Sequence, residues 1–473
     1  MEMQHKGYTL TVGIEVHAEL KTKTKMFCNS VNDPHHGDVN THVCPVCMGH
    51  PGTLPTVNEE AVRHVLRVGT AVGGTLADYT EFDRKNYFYP DIPKGYQISQ
   101  YDFPLVKGGE LAGVKLTRIH LEEDTARSQH DQGDGSLIDY NRAGVPLMEL
   151  VTEPVIHDPE TAGNFARELQ LLLRTLGASS ANMERGEMRV EANISVSKTS
   201  DFGTKVEVKN LNSFKSVESA IQYEVKRQVE LLEKGERVIQ ETRGWDENRM
   251  KTFSQRLKES ADDYRYFPEP DIPKIKVSLS ESLSRVGDSM PVLPSEKREK
   301  YRNIGIPREQ IEFMISYIDF DVFFLRYLEI AASPELIRIG ANYLTSDVVS
   351  LTGKGKSIVD ADPQSFLSLM LLIEKNEITS RVAKDLLDEV IFGHGNARMI
   401  AESRGLLQQN DEGALLEIVR SVLSENPMIV DEYRSGKLTV VQFLVGQGMK
   451  KSKGTANPEK LRSMIVEGIA AKQ

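Results

Sequence analysis

Glu15, His17 and Glu19 stand two apart in residues 8–20, and apolar residues fill the positions between them. In a β-strand this spacing puts all three ionisable groups on one face. Alone, such a face is an ordinary solvated edge. Other segments repeat the arrangement, however. Residues 113–127 alternate in the same way and carry Arg118, His120, Glu122 and Asp124 on the more polar face, with Glu123 between the last two. Glu149 interrupts the apolar run Leu147-Met148-Glu149-Leu150-Val151, and Glu191 and Asn193 lie opposite Val190, Ala192 and Ile194. Carboxylates projecting from several strands of one sheet repel each other unless a cation neutralises them. Hard oxygen ligands helped by an imidazole suit Mg²⁺ or Mn²⁺.

A cation held in this way usually serves to grip nucleotide phosphates during phosphoryl transfer. The familiar phosphate loops are missing from the sequence. Gly353-Lys354-Gly355-Lys356-Ser357 imitates a P-loop, but Ser350 stands where the first glycine belongs, and no G-x-G-x-x-G occurs. A nucleotide site must then be built on the sheet and its loops. Lys85, within residues 82–89, and Arg142, within residues 139–142, are the basic groups that could meet phosphate oxygens. The plainer alternative is that Arg84 and Lys85 pair with Asp83 and surface carboxylates.

The cysteines form a second constellation. Cys44 and Cys47 have half of a zinc-knuckle spacing, and Cys28 lies upstream. Four-thiolate zinc would need one more cysteine, so His35, His36, His42 or His50 would have to complete the site. The other reading of C-x-x-C is a plain buried turn. A thioredoxin-like role does not fit, because no βαβ pattern surrounds the pair.

The elements that position these groups follow from periodicity. Up to about residue 275 the dominant period is two, broken by helical patterns at 59–72, 158–176 and 213–234 and by Gly/Pro turns. The fold class expected is α+β, with a largely antiparallel sheet forming a cradle over residues 1–293. Residues 294–404 read as a helical bundle and residues 405–473 as a small helical tail. Hydrophobic content of 39% and charged content of 27% are those of a soluble globular chain, and no apolar run could span a bilayer. Three cysteines and an N-terminus without signal or transit features point to the cytoplasm. The net charge of -11 excludes a generally basic coat. Yet from Arg434 onward eight basic residues stand against two acidic ones. Lys450, Lys451 and Lys453 cluster around the glycines 446, 448 and 454, a turn suited to phosphate contacts. The bland reading is a solvated tail.

Several long segments are recognisable together: GIEVHAEL at 13–20, CPVCMGHPGTLP at 44–55, FDRKNYFYPDIPKGYQISQ at 82–100, residues 120–127, NRAGVPLMELVTEP at 141–154, EVKNLNSF at 207–214 and SADDYRYFPEPDIP at 260–273. In this order they resemble the B-subunit family of glutamine-dependent Asp/Glu-tRNA(Asn/Gln) amidotransferases, over almost the whole chain. The resemblance implies a glutamine synthetase-like cradle that binds ATP and Mg²⁺ and phosphorylates the side-chain carboxylate of Glu-tRNA(Gln) or Asp-tRNA(Asn), so that ammonia can form the amide. By motif match Glu15, His17, Glu122, Glu123 and Glu149 become the metal and nucleotide residues, with Lys85, Asn86, Asp124 and Arg142 nearby. The helical middle and the basic C-terminal unit, similar to the YqeY family, would hold tRNA, with the tail reaching its elbow. Zinc-bearing members carry Cys-x-Cys ahead of Cys-x-x-Cys, and Ser30 replaces the second of those ligands here.

The sequence has no Gly-Gly-Ser-Ser amidase segment and no cysteine in a glutaminase context, so the ammonia must come from elsewhere. The resemblance names an amidase-type A subunit and a small C subunit as partners in a C–N bond-forming ligase. The alternative within the same assembly is a non-catalytic tRNA-binding adaptor. An archaeal glutamate-specific relative would need room for a large insertion, and a stand-alone amide ligase would have no use for the basic tail.

Overall fold

The computed structural model describes residues 4–129, 135–257, 264–393, 395–408, 412–452 and 454–470, so that Lys453 lies outside the described residues. Two compact units are present, Met1–Pro294 and Ser295–Gln473. The fold is α+β, as its sequence periods indicate: a large mixed sheet, then helices.

The first unit is organised by an 11-stranded sheet. The strands that matter for the site are β1 (Tyr8–Glu19), β4 (Val114–Glu123), β5 (Pro146–Thr152), β6 (Met188–Ser197), β7 (Val206–Leu211), β8 (Glu241–Asp246) and β9 (Lys251–Leu257). Two shorter strands, β2 (Asp83–Asn86) and β3 (Tyr96–Ser99), form a small sheet with β10 (Phe267–Pro268). The large sheet runs β9-β8-β7-β6-β1-β5-β4 before ending in short strands. Its labelled pairs are antiparallel except β7 with β8.

Burial alternates strictly along β1 up to its last residues. Leu10, Val12, Ile14, Val16 and Ala18 point into the core, and the intervening residues face the other way. The helices Pro159–Thr175 and Phe214–Glu233 supply Phe165, Leu169, Leu172, Val217, Ile221 and Val225 to that same core. Each fully buried side chain of this size contributes roughly 1.5–3 kcal/mol. Local capping sets where these helices start. The Asp158 carboxylate accepts from Thr161 N at 2.7 Å ahead of Pro159 at the first helical position, and Ser213 Oγ accepts from Ser216 N at 3.0 Å.

The turn into β5 depends on Gly144. Its φ of +87° is a left-handed conformation, and a Cβ there would come within 3.3 Å of Cys47 Cβ and 3.9 Å of a Glu123 carboxylate oxygen. The chain can therefore reverse tightly and return Glu149 beside β1 and β4.

The second unit is helical among its described residues. Helices Glu412–Glu425, Pro427–Arg434, Val441–Lys451 and Pro458–Ala470 share one core, built from Leu415, Val419, Val422, Leu444, Leu461 and Ile465 with their neighbours. The expected glycine-rich turn is instead helix: Gly446 and Gly448 lie inside Val441–Lys451. Gly448 is required there by packing, since a Cβ would lie 2.5 Å from Leu461 Cδ2. No helix among the described residues is long and apolar enough to cross a membrane.

Candidate functional site

The register of four strands assembles the site. Arg189 of β6 pairs with His17 of β1, His17 with Glu149 of β5, and Glu149 with His120 of β4. Directly paired residues share a face, so these four side chains form one row across the sheet. In the adjacent row Glu191 lies opposite Glu15. Glu122 completes the cluster from β4, and its Oε2 accepts from Ser99 Oγ at 3.2 Å.

His17 Nε2 is the focus. It lies 3.7 Å from Glu15 Oε1, 3.6 Å from Glu122 Oε1 and 3.5 Å from Glu149 Oε2. Glu149 Oε2 is also 3.2 Å from His120 Nε2. Two ligand sets result, Glu15–His17–Glu149 and His120–Glu122–Glu149, each with donor atoms within 4.8 Å of one another and with Glu149 in common. Three carboxylates ring one imidazole at the outer limit of hydrogen bonding. His120 Nδ1 is buried without a hydrogen-bond partner. Hard oxygens with imidazole nitrogen at this spacing fit a divalent cation such as Mg²⁺.

The electrostatics are those of a crowded acidic site. Burial first, then the charge of Glu149, pushes the Glu15 carboxyl up to about 7. Burial works against a charged His17, but its hydrogen bond with Glu149 and the charges of Glu149, Glu191 and Glu122 outweigh this and raise it to about 9. Burial likewise opposes ionisation of Glu149, yet His120 and His17 hold it well below the usual carboxylate range. Lys85 is desolvated too, and Glu122, Tyr266 and Glu149 nevertheless keep its ammonium charged.

These shifts carry a pH dependence. His17, raised above its ordinary 6.5, contributes stability that is fully present below that value and is lost as pH rises through about 9. Glu15, raised above 4.5, favours the fold while it holds its proton, an advantage that disappears as pH rises to about 7. The melting temperature is therefore expected to fall from about pH 5 to pH 9. Added Mg²⁺ should raise it most at the upper end, where Glu15 is ionised and His17 is losing its proton. Thermal scans across this range check the point, and a Mg²⁺ effect flat with pH counts against the cluster as the cation site.

The remaining candidates separate. Glu123 does not join the cluster: it follows Glu122 along β4, so the pleat turns it to the opposite face. There it binds Lys94 Nζ at 2.5 Å and Ile98 N at 2.9 Å. Asp124 and Arg142 engage each other at 3.6 Å; Asp124 also meets Arg189 at 2.9 Å, and Arg142 donates to the Thr125 and Ala126 carbonyls. Neither presents a free charge to a nucleotide. Asn86 Nδ2 donates to the Arg265 and Tyr264 carbonyls at 2.9 and 3.3 Å. Arg84 is committed to Glu269, 2.6 Å from Nε and 2.9 Å from Nη2. Glu19 turns to His35 at 3.4 Å. Lys450 is exposed, while Lys451 is tied to Glu425 at 2.6 Å.

Sequence reasoning left His120 out of the site, although its position two residues before Glu122 was the available signal. Glu207 and Lys209 were also passed over. Glu207 gathers with Glu15 and Glu191, and Lys209 Nζ lies 2.9 Å from Glu191.

Cys28, Cys44 and Cys47 do converge, with sulfurs within 4.8 Å of one another. Ser30 Oγ lies 3.8 Å from Cys47 Sγ, where a fourth donor would stand, and the buried Lys25 ammonium is at the same distance. Three soft donors fit zinc, while the fourth is a weak alcohol beside a competing cation. Ser30→Cys is accordingly expected to raise the zinc bound per purified chain toward one, measured by plasma mass spectrometry. Equal zinc in both proteins would show that the fourth thiolate is immaterial. Cys28 and Cys47 line a cavity of about 190 Å³ shared with Lys94, Glu123 and Gly144.

Fold and site together define an α+β protein with a carboxylate–imidazole centre borne on an open sheet and a helical second unit. Residues 10–282 match the family described as the GatB/GatE catalytic domain, and residues 327–469 match the GatB domain family. Relatives named as the B subunit of aspartyl/glutamyl-tRNA(Asn/Gln) amidotransferase align along nearly their full length. That of Thermus thermophilus is 44% identical over 98% of this chain and 99% of its own. Those of Caldanaerobacter subterraneus and Crocosphaera subtropica are 42% and 39% identical, again over 98% of this chain, and over 99% and 97% of their own. The chain belongs to the B-subunit family of these amidotransferases.

Proposed function

We propose that this chain activates the side-chain carboxylate of glutamate on tRNA(Gln), of aspartate on tRNA(Asn), or of both, by ATP-dependent phosphorylation, and directs its amidation. The observation that carries this reading is the convergence of Glu15, Glu122 and Glu149 on His17 Nε2 at 3.5–3.7 Å. These four residues would hold Mg²⁺, which would neutralise phosphate oxygens of ATP. Lys85 adds a half-buried ammonium within electrostatic reach of Glu122 and Glu149. Asn86 fixes the neighbouring loop, while the Glu123–Lys94 and Asp124–Arg142 pairs brace the end of β4.

A free carboxylate resists attack by ammonia because its carbon is electron-rich and its leaving group poor. Attack of one carboxylate oxygen on the terminal phosphorus of ATP, with departure of ADP, gives an acyl phosphate. Ammonia then adds at the carbonyl carbon, phosphate leaves, and the amide remains. Water would hydrolyse the intermediate, so ammonia must arrive directly from a partner. That partner is an amidase-type A subunit, assembled with a small C subunit in the cytoplasm. Residues 1–293 form the catalytic cradle, residues 294–404 a helical support and residues 405–473 the tRNA-binding tail.

The test is transamidation with both partner subunits present. Each misacylated tRNA is supplied separately, and a control omits ATP. Amide formation that persists without ATP would overturn the activation step.

A further inference from the structure

Five tyrosines outside the carboxylate cluster form a continuous ladder. Ring centroids are 6.3 Å apart from Tyr89 to Tyr87, 5.7 Å from Tyr87 to Tyr264, 6.2 Å from Tyr264 to Tyr266 and 4.5 Å from Tyr266 to Tyr101. The last pair is stacked, with 15° between planes. Both ends are open: Tyr89 is 55% and Tyr101 45% exposed. Lys85 ties the middle to the catalytic side, its Nζ 5.2 Å from the Tyr264 ring centroid and within electrostatic reach of Glu122 and Glu149.

The backbone under the ladder is strained and held. Arg265, between Tyr264 and Tyr266, has φ +45°, and Asn86 Nδ2 grips its carbonyl at 2.9 Å. Non-glycine residues persist in this region only when their surroundings fix them, and such strain gathers at functional positions. Packing for stability alone would bury these rings. Instead both end rings stay exposed, with the Lys85 ammonium against the middle of the ladder, a combination that binds unpaired nucleotides by stacking. A small nucleotide such as ATP is more commonly enclosed in a pocket, whereas this surface is open at both ends.

We propose that the tyrosine ladder is the stacking platform for the unpaired 3′-terminal nucleotides of the aminoacyl-tRNA, delivering the free side-chain carboxylate of the esterified amino acid to Lys85 and the carboxylate cluster. The inference rests on the function proposed above and adds how the substrate end is placed. Tyr101 and Tyr266 are thus positioning residues, acting on the base and not on the reacting atoms.

The test uses the full complex with its partner subunits. Binding is measured for intact aminoacyl-tRNA and for the same RNA lacking its unpaired 3′ nucleotides, and KM for ATP is measured in parallel. Tyr101→Ala is expected to weaken binding of the intact RNA about tenfold, the loss of one base stack. Binding of the truncated RNA and KM for ATP should not move, and Tyr101→Trp should restore affinity. Equal losses on both RNAs would overturn the inference, and so would a rise confined to KM for ATP, which would make the ladder an ATP adenine site. A wild-type complex that binds both RNAs equally overturns this inference alone. One that binds neither overturns the proposed function as well.

Discussion

Glu149→Gln is expected to lower the rate of amidation by at least about 10³-fold while leaving tRNA affinity within about twofold. The substitution keeps the shape of the side chain and removes its charge. Glu149 sits where the register row crosses β5, with His17 Nε2 at 3.5 Å, His120 Nε2 at 3.2 Å and Arg118 Nη2 at 3.8 Å. It alone belongs to both ligand sets that contain His17 or His120. Removing its charge takes a hard ligand from either set and leaves two imidazoles, Arg118 and Lys85 with less counter-charge. Glu15→Gln should act in the same direction, because Glu15 contributes to one of these sets. Single-turnover phosphoryl transfer from ATP, measured beside tRNA binding, separates chemistry from recognition. Normal amidation rates in both variants would refute the catalytic reading and leave the adaptor alternative standing.

The second large effect concerns the tail. Removing residues 405–473 is expected to weaken tRNA binding by roughly 10- to 100-fold and to reduce the salt slope of log K by about two to four. A cut at Arg434 would be a poor experiment. Val441, Leu444, Leu461 and Ile465 share a core with Leu415, Val419 and Val422, so the shorter deletion exposes apolar surface on both sides. The slope stays modest because several basic groups are already engaged. Lys451 meets Glu425, Lys437 meets Glu432 and Lys460 meets Glu412, at 2.6, 2.8 and 3.0 Å. Such exposed pairs are worth about 1 kcal/mol or less, so phosphate can compete for the cations. Lys450→Ala combined with Lys451→Ala preserves the helix and should reproduce part of the loss. Unchanged affinity of the deletion at two salt concentrations would remove the tail from tRNA recognition.

How far the sequence reaches is best seen in neighbouring residues. Alternation along residues 8–20 identified β1 and its buried face, and the helical patterns opening at 158 and 213 are helices that Asp158 and Ser213 cap in the structure. The same rule of two should have divided Glu122 from Glu123. The motif reading kept them together, and the pleat sends Glu123 to Lys94 on the far side. Asp124 and Arg142 looked like ligands for a nucleotide, yet they meet each other because the Gly144 turn folds their segments together. The glycines at 446 and 448 looked like a loop, and contact with Leu461 made them helix.

What the sequence determined by itself is local: the strand and helix periods, the ionisable types on each strand, and motifs that place the chain in its family. Strand register, by contrast, joins residues more than a hundred positions apart, as when Glu149 meets His17. No short window encodes such a pairing. It follows from burying all the apolar faces of β1, β4, β5 and β6 at once, and a slip of one residue would turn the carboxylates away from each other. The tertiary structure alone decided which acids share a centre, and which only brace it.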